Sequence, residues 1–193
     1  MRKTLLLLAA LGAALPTLAQ TERGTTLLGL TGGSLEFSRR DSYRNTSIAL
    51  HPTLGRFLAD NLVLGAAVDL EYYRFRSGSN AFQRAFGYGI SPFVRYYVVG
   101  QGRHQVFAEV GSNLTWYKVR NENVPPFGST SRYTSRVLGY HGALGYNFFL
   151  TPTAALEASA GYRRYGKDDV SNRRGELDVR LGFSMFLPAK AAN

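Results

Sequence analysis

Between Thr25 and Leu187 apolar residues return at every second position, not at helical spacing, in stretches separated by turn-forming residues. Eight such stretches are readable: Thr25 to Ser38, Thr46 to Phe57, Leu62 to Arg76, Arg84 to Val98, Gln105 to Val119, Thr134 to Phe149, Ala154 to Gly166 and Arg174 to Leu187. In the third, Leu62, Leu64, Ala66, Val68, Leu70 and Tyr72 share one parity, while Asp69 and Glu71 fall on the other. In the fourth, Phe86, Tyr88, Ile90, Pro92, Val94, Tyr96 and Val98 oppose Gly87, Gly89, Ser91 and Arg95. In the last, Leu177, Val179, Leu181, Phe183, Met185 and Leu187 oppose Glu176, Asp178, Arg180, Gly182 and Ser184. The fifth and seventh stretches place Glu109 and then Glu157 and Arg163 on their polar parity. Eight strands follow, each with one apolar face and one face that mixes charge with glycine.

A soluble sandwich also alternates, but its inner face could not hold this many charges without a steep desolvation cost. Reversing the assignment removes the conflict. The apolar parity meets lipid, and its length suits the roughly nine to eleven residues that cross a bilayer as a tilted strand. The connections agree: Leu58 to Asn61, Val99 to His104 and Leu150 to Thr153 are short, whereas Arg39 to Asn45, Ser77 to Gln83, Arg120 to Tyr133 and Lys167 to Arg173 are longer and polar. Aromatic residues near the stretch ends read as two interfacial girdles, Tyr72, Tyr73, Trp116, Tyr117, Tyr140 and Tyr162 by the long loops and Tyr96, Tyr97, Phe148 and Phe149 by the short turns. The predicted fold is an all-β, eight-stranded, antiparallel up-and-down transmembrane barrel. Side chains fill a barrel of that size. Asp69, Glu71, Glu109, Glu157, Glu176 and Asp178 would pair inside it with Arg95, Arg163 and Arg180, glycines leaving room for the arginines, to give a plugged lumen. Gly32 and Gly33 mark an expected bulge, and Pro52 inside the second stretch weakens its pairing.

The start of the chain adds export. Arg2 and Lys3 precede the apolar run Leu5 to Leu18, and small residues surround Ala19, which reads as a signal peptide over residues 1–19 followed by one barrel domain over 20–193. The run is too short for a spanning helix. The chain has no cysteine, which excludes a disulfide framework or a thiolate metal site. Its net charge of +10, or +8 without Arg2 and Lys3, calls for anionic partners, and an exported compartment makes nucleic acid an unexpected one.

Two segments carry a family resemblance. His51 to Gly65, with its Gly-Arg-Phe-Leu-Ala-Asp-Asn-Leu-Val-Leu-Gly core, resembles the OmpA/OmpX-like small outer-membrane β-barrel domain. Ser91 to Tyr97 and Gly145 to Leu150 repeat its first half, so the likeness spans the mature chain. The last strand is similar to the signal read by the barrel assembly machinery in that family, through Arg180, Gly182, Met185 and Leu187, although Pro188 to Asn193 follow where many members end on an aromatic residue. The resemblance implies residence in the bacterial outer membrane, no cofactor, and a structural or surface-interaction role.

Enzymes that modify lipid A or phospholipid also occur on this fold, with a His and Ser at the outer rim. His141 lacks a serine two residues on, His104 lies in a turn, and His51 lies toward the short turns, so no catalytic residue is assigned. A narrow channel and a soluble periplasmic ligand-binding barrel compete with the structural role. At the long-loop end, Arg39, Arg40, Arg74, Arg76, Arg132, Arg164 and Arg173 form a basic rim suited to bidentate contact with the phosphates of outer-membrane lipid, lipopolysaccharide included. No external ligand is identifiable.

Overall fold

In the computed structural model of the 193-residue chain, residues 21–40, 43–77, 81–123, 128, 130–166 and 175–189 are described. They form β1 (Thr26–Arg40), β2 (Tyr43–Ala59), β3 (Leu62–Ser77), β4 (Ala81–Gln101), β5 (His104–Asn123), β6 (Thr130–Thr151), β7 (Ala154–Tyr165) and β8 (Glu176–Leu187). Every neighbour pairs antiparallel, and β1 pairs with β8 to close the barrel. Closure satisfies the edge strands that would otherwise present unpaired backbone groups to lipid.

The parity read from the sequence sets the two faces. Leu144, Leu177 and Val110 are 67%, 83% and 62% exposed on the outer wall, while Asp69, Arg95 and Glu157 are 1%, 5% and 4% exposed inside. A wall of contiguous exposed leucine and valine is unfavourable in water and favourable in a hydrocarbon layer. The strands are longer than predicted, because 15 to 22 residues pair in β1 to β6 where about ten suffice to cross. The segments expected as long loops at Arg39–Asn45 and Ser77–Gln83 are therefore mostly strand. Polar residues still form ladder hydrogen bonds, so charge ends the lipid-facing band without ending the strand.

Local irregularities have local causes. The β1–β2 register shifts between Gly33 and Glu36, next to the expected glycine bulge. Pro52 pairs with Leu30 of β1, while its side toward β3 drops out of the ladder. Pro92 likewise pairs with Ala66 and leaves a gap toward β5. Each proline lacks one donor and interrupts one ladder only, without shifting its register. Two-residue turns join β2 to β3, β4 to β5 and β6 to β7, and Asn61 and Gly102 in the first two adopt φ of 65° and 61°.

Near each of these turns an even-numbered strand sends an aromatic ring inward. Phe57, Tyr97 and Phe149 do so just before a register shift, and Phe186 matches them at the end of β8. Their backbone N–H groups donate to Thr25, Asn61, Arg103 and Thr153 respectively, at 2.8–2.9 Å. Each ring residue faces a cross-strand apolar partner: Phe57 faces Val63, Tyr97 faces Phe107, Phe149 faces Ala155, and Phe186 faces Leu27. These eight residues, with Phe93, are the apolar core of the protein, and it lies inside the barrel at the short-turn end. The paired girdles therefore need correction. Tyr96 and Tyr162 face outward as expected, but Tyr97 and Phe149 are buried in the lumen and Tyr73 and Tyr117 line a cavity within it.

Candidate functional site

Three polar clusters stand on this aromatic floor. The deepest is built on Arg95 of β4. Its guanidinium donates to Glu109 on β5 at 2.8 Å and to both oxygens of Glu157 on β7 at 3.0 Å, joining opposite walls of the barrel. Ser184 donates to Glu157 at 2.5 Å, and His141 Nε2 lies 3.3 Å from Glu109. The arginine plane sits 3.9 Å from the ring centre of Phe107, so charge and aromatic floor are in direct contact. Removed from water, these charges are tolerable only because each has partners.

The second cluster lies toward the long loops. Arg163 of β7 donates to Asp178 of β8 at 2.9 Å and lies 3.5 Å from Glu71 of β3. Arg180 donates to Asp178 at 2.8 Å. Tyr117 donates to Glu71 at 2.7 Å and Tyr165 to Glu176 at 2.5 Å. The third cluster is small: Asp69 accepts from His51 Nδ1 at 2.8 Å and from the hydroxyl of Ser91. Here serine and histidine both donate to the carboxylate. Ser91 does not hand its proton to the imidazole, as an activated nucleophile would. The nine predicted interior residues all face the lumen, divided between these clusters.

Above Arg95 the lumen widens into a cavity of about 420 Å³. It runs from His51 and Asp178 past Glu71, Tyr117 and Arg163 to Gln83 at the far end of β4. His51 thus lies in mid-strand beside the cavity, and His104 opens β5 with its ring bonded to the Tyr146 hydroxyl, corrections to their expected places. Among the described residues no group of His, Asp and Glu is arranged to hold a metal ion.

The interior glycines serve rings more than arginines. A Cβ on Gly145 would stand 2.0 Å from the ring of its cross-strand partner Phe107, and one on Gly87 would stand 2.7 Å from the ring of Tyr117. A glycine directly opposite a large inward ring was the signal available for the floor, since Phe107/Gly145 and Phe93/Gly65 lie on facing strands.

The basic rim is divided. Arg74, Arg76, Arg132 and Arg164 are exposed on the outer wall and belong to strands rather than loops. The backbones of Arg39 and Arg40 end β1, opposite Arg44 and Tyr43, while their side chains and all of Arg173 lie outside the described ones. Arg84, Arg120 and Arg136 extend the same wall. In β8, Arg180 and Gly182 face inward while Met185 and Leu187 face out.

No family model and no curated protein matches the chain. Solved structures do. The outer membrane protein OprG from Pseudomonas aeruginosa is similar over 88% of this chain and 99% of its own, with 15% identity and a TM-score of 0.51. Ail, the attachment invasion locus protein of Yersinia pestis, is similar over 85% of this chain and 98% of its own, with 11% identity and a TM-score of 0.52. Both likenesses concern the fold, which is that of the small eight-stranded outer-membrane β-barrels.

Proposed function

We propose that this barrel, with the fold of small outer-membrane proteins, is a non-enzymatic structural protein of the bacterial outer membrane that conducts no solute and meets its surroundings through its cationic long-loop end. The carrying observation is the floor: four cross-strand apolar pairs, each with at least one aromatic ring and every member 2% exposed or less, stand inside the barrel at the short-turn end. Arg95, Glu109 and Glu157 cross the barrel just above them. An ion would have to displace both layers. In this reading residues 1–19, which lie outside the described residues, serve as a cleaved export signal. Arg180, Gly182, Met185 and Leu187 serve as the mark for the barrel assembly machinery. The partners are outer-membrane lipids.

Planar bilayer recording tests the closure. The folded protein is expected to give a silent baseline at 1 M salt, and a Phe57→Ala/Tyr97→Ala/Phe186→Ala variant discrete steps. Regular steps from the unaltered protein would contradict a closed lumen and favour a channel.

A further inference from the structure

On the outer wall of β3 to β6 four arginines stand side by side. Arg74 faces Arg84, Arg84 faces Arg120, and Arg120 faces Arg132, each pair directly across the ladder and each side chain exposed. Strands are about 4.8 Å apart, so the row is about 14 Å long. Directly opposed like charges repel and destabilise a sheet. The wall supplies little relief. Among the described residues its one outward carboxylate is Glu122, which is 2.5 Å from Arg120. Arg74 and Arg84 instead flank the ring of Phe82, 5.0 and 4.3 Å from its centre.

What lies below the row fixes its setting. The next rungs hold Tyr72, Phe86, Lys118 and Thr134, then Leu70, Tyr88, Trp116 and Arg136. Below them come Val68, Ile90, Leu114 and Leu138, without charge. The cations therefore sit just beyond an aromatic belt that itself caps the apolar band, at the depth of lipid headgroups. Barrel strands tilt by roughly 35–45°, so the row is inclined and offers guanidinium groups through that layer rather than at one depth. Across the barrel, the described outward residues of β8, from Leu177 to Leu187, are uncharged.

We propose that the β3–β6 wall is a binding site for an anionic lipid bearing two or more phosphates, held in the outer leaflet with its acyl chains along Val68, Ile90 and Leu138. Arg74, Arg84, Arg120 and Arg132 grip the phosphates in bidentate fashion, a geometry lysine cannot offer. Lys118 and Arg136 complete the site from below. The phosphates cancel the repulsion within the row. This rests on the outer-membrane reading and locates its lipid contact on the barrel wall instead of in the loops.

Trp116, the single tryptophan of the chain, lies within the site and reports on it. The folded protein in neutral phosphocholine bilayers is titrated with bisphosphorylated lipid A, with the dephosphorylated lipid and with inorganic phosphate, in 150 mM salt. A saturable change in Trp116 emission with the bisphosphorylated lipid alone is expected. An Arg74→Gln/Arg84→Gln/Arg120→Gln/Arg132→Gln variant is expected to bind at least tenfold more weakly while unfolding in urea no more readily than the unaltered protein. Arg23→Gln/Arg103→Gln, at the short-turn end, should bind as before. Equal binding of the dephosphorylated lipid, or unchanged affinity in the quadruple variant, would overturn the site. An equal response to inorganic phosphate at the same concentration would assign it to soluble anions, against a lipid. A protein that folds into the bilayer yet ignores all three probes sinks this inference alone; one that does not enter the bilayer sinks the membrane reading with it.

Discussion

The two ends of the lumen are made from the same inward parity and yet from different materials. At the short-turn end the inward positions carry Phe57, Tyr97, Phe107, Phe149 and Phe186, packed at ring-centre distances of 4.9–6.2 Å. Toward the long loops the same parity carries Glu71, Tyr117, Arg163, Glu176 and Asp178, which ring an open cavity. Dispersion and burial hold the first region, and paired hydrogen bonds the second. Rings can close a narrow barrel without leaving any group unsatisfied. Ion pairs fix side-chain geometry but leave room around it. In the proposed reading the floor supplies the closure, and the upper half holds the open space.

Arg95 lies at the boundary, and its loss gives the largest expected effect. Arg95→Ala leaves Glu109 and Glu157 buried without their common cation and should lower unfolding stability in urea by about 4 kcal/mol. Arg180→Ala, which removes a partner from less buried Asp178, should cost far less. Phe186→Ala follows at about 3 kcal/mol, because its ring touches Phe57, Tyr97 and Phe149 together. Gly145→Ala should lower stability by about 2 kcal/mol by driving Phe107 from its place, whereas Gly142→Ala, whose added carbon meets nothing closer than 3.9 Å, should leave it unchanged. Smallest is Tyr117→Phe in the upper half, which removes the hydrogen bond to Glu71 for about 1 kcal/mol. All are read by the same urea titration in neutral bilayers. If Tyr117→Phe cost more than Phe186→Ala, the division of labour between the two ends would have to be reversed.

The barrel was legible because parity is a global property: one slip would move Leu62 to Leu70 inward and Asp69 out, and no other register satisfies both. The inward charges were legible for the same reason. Their partners were not, since pairing Arg95 with Glu157 depends on closure across 62 residues of chain. The floor was misread for a simpler cause. Tyr97 and Phe149 sit beside Tyr96 and Phe148 at strand ends, where clustering suggests a lipid interface, and only strict alternation carried to the last residue turns one of each pair inward. The arginine row was hidden too, because Arg74, Arg84, Arg120 and Arg132 become neighbours only through the register of three hairpins.

The most direct test of a closed, membrane-embedded barrel is heat-modifiability of the protein in its own envelope. After expression with residues 1–19 and fractionation, the outer-membrane fraction should hold a compact species that migrates faster unboiled than boiled on a detergent gel, as a closed barrel with this internal core requires. Recovery of the protein in the soluble periplasmic fraction, with no shift on boiling, would contradict it and turn the apolar wall into a core.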